Sequence, residues 1–133
     1  MTDQITLVVD GAPYVGWISV SIERSLDRFA HTFDMTYVDR WSDEIEPWPI
    51  RPGAPVQVKY GNHILITGWV DTSAFRATSK EWELKAQGRS LTGDLTDCSA
   101  IFKTGSWRNQ KLLQIADDLL SPYGLHAELS IPD

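Results

Sequence analysis

The chain has 133 residues, 42% of them hydrophobic and 23% charged, with six Trp, one Cys and a net charge of -6. That is enough for one globular domain with a real core, or one domain and part of another. The acidic balance disfavours phosphate backbones as the main partner, and the single Cys98 excludes an intramolecular disulfide and a multi-Cys metal site.

Apolar runs stay short of the roughly 18 to 20 residues that a membrane-spanning helix needs. The start, MTDQITLVVDG, has no basic segment leading into an apolar one. The expectation is a soluble protein folded in a cytoplasm, without membrane contact by this domain.

Residues 4–10 read as a strand ending in the hairpin signal Asp10-Gly11. From Trp17 to Glu23 the sequence alternates, with Ile18, Val20 and Ile22 on one side and Ser19, Ser21 and Glu23 on the other, predicting a half-buried strand. Arg24–Arg28 is polar and reads as a turn. Alternation resumes with Phe33, Met35 and Tyr37 against Thr32, Asp34 and Thr36.

Between Trp41 and Pro55 the pattern vanishes into WSDEIEPWPIRPGAP, with four prolines and the acids Asp43, Glu44 and Glu46. This predicts a long loop, of the kind that serves function or an interface. Val56, Val58 and Tyr60 then share a strand face, Gly61-Asn62 turns the chain, and residues 63–70 run back as an apolar strand. Thr72-Ser73 reads as a turn beyond it, and Ser79-Lys80 as another. Trp82, Leu84 and Ala86 then alternate with Glu81, Glu83, Lys85 and Gln87.

The sum is a mainly β chain of about six or seven short strands, spaced as in an antiparallel barrel or sandwich. Near the end the period changes. Ser106 is the expected N-cap of a helix carrying Leu112, Ile115, Ala116, Leu119 and Leu120, and Ser121-Pro122-Tyr123-Gly124 stops it. Residues 125–131 read as one more strand. The expected organisation is a β-barrel domain over 1–104 and the start of a second, truncated α+β domain over 105–133.

Few residues promise chemistry. His31, His63 and His126 stand apart from one another, which argues against a His-based metal centre. Asp94 and Asp97 suit turn and capping roles better than a glycosidase pair. Cys98 reads as a small buried residue. No cofactor, metal or catalytic constellation is expected.

One stretch needs weighing. GWVDTSA, residues 68–74, resembles the way a retroviral-type aspartic protease presents its catalytic Asp, which would make Asp71 half of a dyad shared across a homodimer. Such enzymes also carry an apolar pair before a downstream Gly. Here Lys85 and Gln87 stand where apolar residues are wanted around Ala86 and Gly88, and no glycine-rich flap lies between. The competing explanation is an ordinary aspartate leaving a strand.

GRSLTGDLTDCSA, residues 88–100, is far more specific. It resembles the signature of baseplate hub proteins of Mu-like contractile-tailed phages. The resemblance extends through IRPGAPV (50–56), GWVD (68–71) and NQKLLQIA (109–116), in the same order. It implies a split-barrel-like antiparallel β-barrel, then a helix and strand opening a second domain, and no enzymatic activity. It also implies a homotrimer whose subunits each carry two related barrels, six barrels forming a ring between the tail tube and the central spike. DNA would pass through without specific binding, a negative lumen repelling it. The location implied is the tail baseplate of a virion or prophage particle, assembled in the bacterial host cytoplasm. The expected interface residues are Trp41 and Trp48, because both lie outside any alternating strand. Capping of the open barrel end is the alternative for both, and a sugar-stacking role is a third reading.

Overall fold

The computed structural model describes residues 4–40, 50–79, 81–100, 102 and 104–131. They fall into two compact units that divide between Gly93 and Asp94. The first unit holds seven strands: β1 (Ile5–Val9), β2 (Ala12–Tyr14), β3 (Ser19–Glu23), β4 (Thr32–Arg40), β5 (Pro55–Tyr60), β6 (His63–Ala77) and β7 (Glu81–Ser90). All pairings are antiparallel, and the order across the sheet is β2-β1-β5-β6-β7-β4-β3.

Local chemistry sets the first hairpin. Val9 faces Ala12, leaving Asp10 and Gly11 as a two-residue loop, and their φ values are +49° and +83°. Two successive positive φ angles are what a type I′ turn requires, and its twist matches that of the flanking strands. Pro13 lies in β2, an edge strand, where a missing N–H costs no ladder bond.

The sheet must curl. Laid flat, its two edges would stand about 29 Å apart, six inter-strand spacings. Yet β2 and β3 are joined by residues 15–18 alone, which reach about 18 Å at most. The edges are therefore drawn toward each other, and the sheet is a split barrel: no ladder joins β2 to β3 among the described residues. Curling gives the sheet an inside. Leu7, Val9, Phe33, Met35, Val56, Val58, Ile66, Val70 and Ala86, with Ile50 from the preceding loop, pack there as one buried cluster, and Leu84 is equally buried. Each large apolar side chain so buried contributes about 1.5–3 kcal/mol.

Two expectations about strands change. β3 is an edge, so Ile18 and Val20 remain 65% and 36% exposed and only Ile22 packs on the core. β6 runs on to Ala77, so Thr72 and Ser73 lie inside a strand rather than in a turn.

The second unit opens with a single helical turn, α1 (Asp94–Asp97), that follows a 3-10 turn at Leu91–Gly93. The longer helix α2 spans Leu112–Leu120, with Lys111 rather than Ser106 at its N-cap; the Lys111 N–H donates to Gln114 Oε1 at 3.3 Å. Pro122 and Gly124, the latter left-handed at φ +69°, end it as expected. Residues 125–131 form no strand. A strand needs a ladder partner, and here the backbone is held differently: Leu125 N–H donates to Leu120 O, and Ala127 N–H to Asp117 Oδ1. Trp107 belongs to this unit, stacked on Phe102 at 4.4 Å with its Nε1–H donating to Asp118. No described helix is long and apolar enough to cross a membrane.

Candidate functional site

Asp71 sits where β6 carries one residue more than its partner. Val70 faces Gly88 and Thr72 faces Gln87, so Asp71 is the extra residue of a bulge. Its Oδ2 accepts from Arg89 Nε at 2.8 Å, and both side chains remain about a third exposed. A protease dyad would need this carboxylate at a strand-to-loop junction with a second carboxylate against it. Here the strand continues and the neighbour is a guanidinium, so the geometry does not support a catalytic role.

Two glycines flank the bulge where the strands run close. A Cβ on Gly68 would lie 1.8 Å from Arg89 O, and one on Gly88 would lie 2.1 Å from Trp69 O and 2.6 Å from the Phe33 ring. β6 and β7 approach too closely there for any side chain.

The residues after Gly88 act as a clamp. Ser90 Oγ accepts from His31 N–H at 3.0 Å and lies 2.7 Å from Thr92 Oγ1, while Ser90 N–H donates to His31 O. Ser90 and Thr92 hydroxyls both donate to Phe29 O. They hold the connection between β3 and β4 from its far side. Further bonds stiffen that connection from within: Ser25 Oγ–H to Asp27, Arg28 to Glu23 at 2.9 Å, and His31 Nε2 against Ser25 O at 3.2 Å. The Ser25 hydroxyl holds the Asp27 carboxyl below its ordinary 3.8. On this fixed loop Leu26 is fully exposed and Phe29 is 67% exposed.

The sheet's outer surface has two characters. Across β4, β7 and β6 it is polar and largely self-neutralised, Lys85 pairing with Asp34 at 3.1 Å, Gln87 donating to Asp34, and Arg89 pairing with Asp71. Across β1, β5 and β6 it forms a recess of about 440 Å³ lined by Val8, Pro55, Gln57, Thr67, Trp69 and Leu91 among others, with Asp10 at its edge. Trp69 lines it and is 41% exposed as a residue.

Among the described residues, no group of three His, Cys, Asp or Glu side chains is placed to hold a metal ion. Asp94 and Asp97 bracket α1, and Cys98 is exposed rather than buried, since it follows that helix at the surface. Trp41 and Trp48, the expected interface residues, lie outside the described residues, as do Asp43, Glu44 and Glu46. Trp17 and Trp82 both contact Tyr37, and Phe75 extends the row from Trp82 at 6.0 Å. Sequence reasoning passed over Leu26 and Phe29. The available signal was two apolar side chains in an otherwise charged turn.

Comparison with known proteins gives a consistent set. Residues 4–90 match the family described as Mu phage baseplate assembly protein GpP-like, N-terminal. Residues 92–132 match the second domain of the baseplate hub protein gp44-like family. The chain is 32% identical over 133 residues to baseplate hub protein gp44 of Escherichia phage Mu, covering 100% of this chain and 35% of that protein. Its fold superposes on a 43 kDa tail protein of prophage MuSo2 from Shewanella oneidensis with a TM-score of 0.82 and 33% identity, over 92% of this chain and 38% of that one. A tail protein from Neisseria meningitidis MC58 shares the fold with a TM-score of 0.77 and 24% identity, over 90% of this chain and 33% of that one. The chain thus spans about a third of the length of the relatives it matches.

Proposed function

The chain belongs to the Mu phage baseplate assembly protein family of the GpP-like kind, and from that premise we propose that it is the N-terminal part of a structural hub in a contractile-tail baseplate. One observation carries the reading: the whole β unit, residues 4–90, matches that family. The backbone agreement with a prophage tail protein supports it.

In this reading the hub is a homotrimer, with the tail tube docked on one side and the central spike on the other. Residues 1–104 supply one barrel of a ring of related barrels, and residues 105–133 open a second domain. The protein catalyses no reaction and carries no cofactor; its work is geometric, joining a sixfold tube to a threefold spike. Its place is the tail baseplate of the virion, reached after assembly in the host cytoplasm, and DNA passes without specific binding. Trp41 and Trp48 are interface residues in this scheme.

The test is native mass by light scattering over a wide concentration range, on this chain and on the full-length polypeptide. A trimer in the full-length protein is expected. A tight dimer in both would overturn the reading.

A further inference from the structure

We infer that the apolar face of α2, with the apolar side chains that follow it as far as Ile131, is packed in the full-length polypeptide by the part of the second domain that comes after residue 133. This rests on the reading above, in which residues 105–133 open that domain.

The second unit carries core material without a core. Leu112, Leu113, Ile115, Ala116, Leu119 and Leu120 make α2 largely apolar, yet none of its residues is buried. The same holds for every described residue from Asp94 to Ile131. The first unit, by contrast, closes a core of its own around Leu7, Met35 and Val58. A unit of about 40 residues is near the lower limit for burying a core unaided. A nine-residue helix is marginal unless its apolar face is packed.

The polar side of α2 is already occupied from within the unit. Asp117 Oδ1 accepts from Ala127 N–H and Asp118 Oδ2 from Trp107 Nε1–H, each at 2.9 Å. What stays open is apolar. Leu112 is 76% exposed, and exposure climbs toward the end of the chain, from half-buried Leu125 and Ala127 to Leu129 at 45% and Ile131 at 75%.

Two observations identify what covers this face. Leu129 and Ile131 stand within a few residues of Asp133, so a segment joined there meets the face at the high effective concentration of a tethered partner. A separate chain would first have to offset the cost of association. Length agrees: residues 92–132 match a second domain, and the chain spans about a third of the relatives it matches.

The experiment compares amide exchange across residues 112–131 in this chain and in the full-length polypeptide. Exchange at least about tenfold slower in the full-length protein is expected, because covering one leucine side chain shifts an opening equilibrium by that much. Full-length Leu112→Asp and Ile131→Asp complete the test, and each should return α2 to fast exchange. Leu112 is the first residue of α2, where an aspartate suits the helix dipole, so a loss there reports lost packing rather than lost helicity. Equal exchange in the two wild-type chains, or variants that exchange like wild type, would overturn the inference. Protection that appears only as trimers form would also overturn it, since a neighbouring subunit would then cover the face. Protection in a full-length protein that never trimerises would sustain this packing and overturn the trimeric hub instead.

Discussion

Single residues decide whether β6 and β7 can meet. Gly88 is boxed in by Trp69 O and the Phe33 ring, and neither can retreat: one is backbone in a paired strand, the other a core side chain. Gly88→Ala should therefore lower stability by about 3 kcal/mol or more, beyond ordinary overpacking. Urea denaturation would show it, and an unchanged midpoint would refute the close approach. Asp71 predicts the opposite scale of effect. Its partner Arg89 is about a third exposed, so the pair is worth at most about 1 kcal/mol. Asp71→Asn should shift the melting curve slightly and change no activity. Peptide cleavage by the wild type at acid pH that vanished in this variant would restore the protease reading.

At the scale of elements, Ser90 links β7 to the β3–β4 connection. It is 9% exposed, and its hydroxyl is the acceptor for His31 N–H. Ser90→Ala leaves that donor without this partner, which should cost about 1–3 kcal/mol. The loss should be local, with faster amide exchange across residues 25–31 and little change in β1 or β5; uniform exchange throughout the barrel would count against the clamp. The strands themselves were legible because period-two alternation survives wherever one face is buried: β4, β5 and β7 read cleanly from Phe33, Val58 and Leu84. β6 was misread at Thr72 because a bulge shifts the alternation by one residue, and a broken pattern looks like a turn. The N-cap of α2 was misplaced for a related reason. Ser106 has the right side chain, but Asn109 turns the chain at φ +55° before the helix can start, leaving Lys111 at its mouth. Residues 125–131 alternate acceptably, yet pairing is a property of two segments and no window of one sequence contains it. The signature over residues 88–100 pointed to a family without showing what its residues do in the fold. The structure gives four of them a role: Gly88 in the close approach, Arg89 at the bulge, Ser90 and Thr92 at the loop.

For the whole molecule, charge and topology bear on the same question. The chain carries 18 acidic and 12 basic residues, and the basic side chains Lys85, Arg89 and Arg28 are each engaged by a carboxylate. Binding to a phosphate backbone draws its affinity from free Lys and Arg displacing counterions. A chain with a net charge of -6, three of whose cations already face carboxylates, is poorly placed to gain from that release. In the proposed hub, where DNA would pass through the ring, this would be an advantage, because a wall that held DNA would slow its passage. The assembled hub should therefore fail to retard duplex DNA in a gel at physiological salt, and lowering the salt should produce at most weak retardation. Strong binding that falls steeply as salt rises would mean that a basic surface lines the proposed path, and would refute a repelling lumen whatever the oligomeric state.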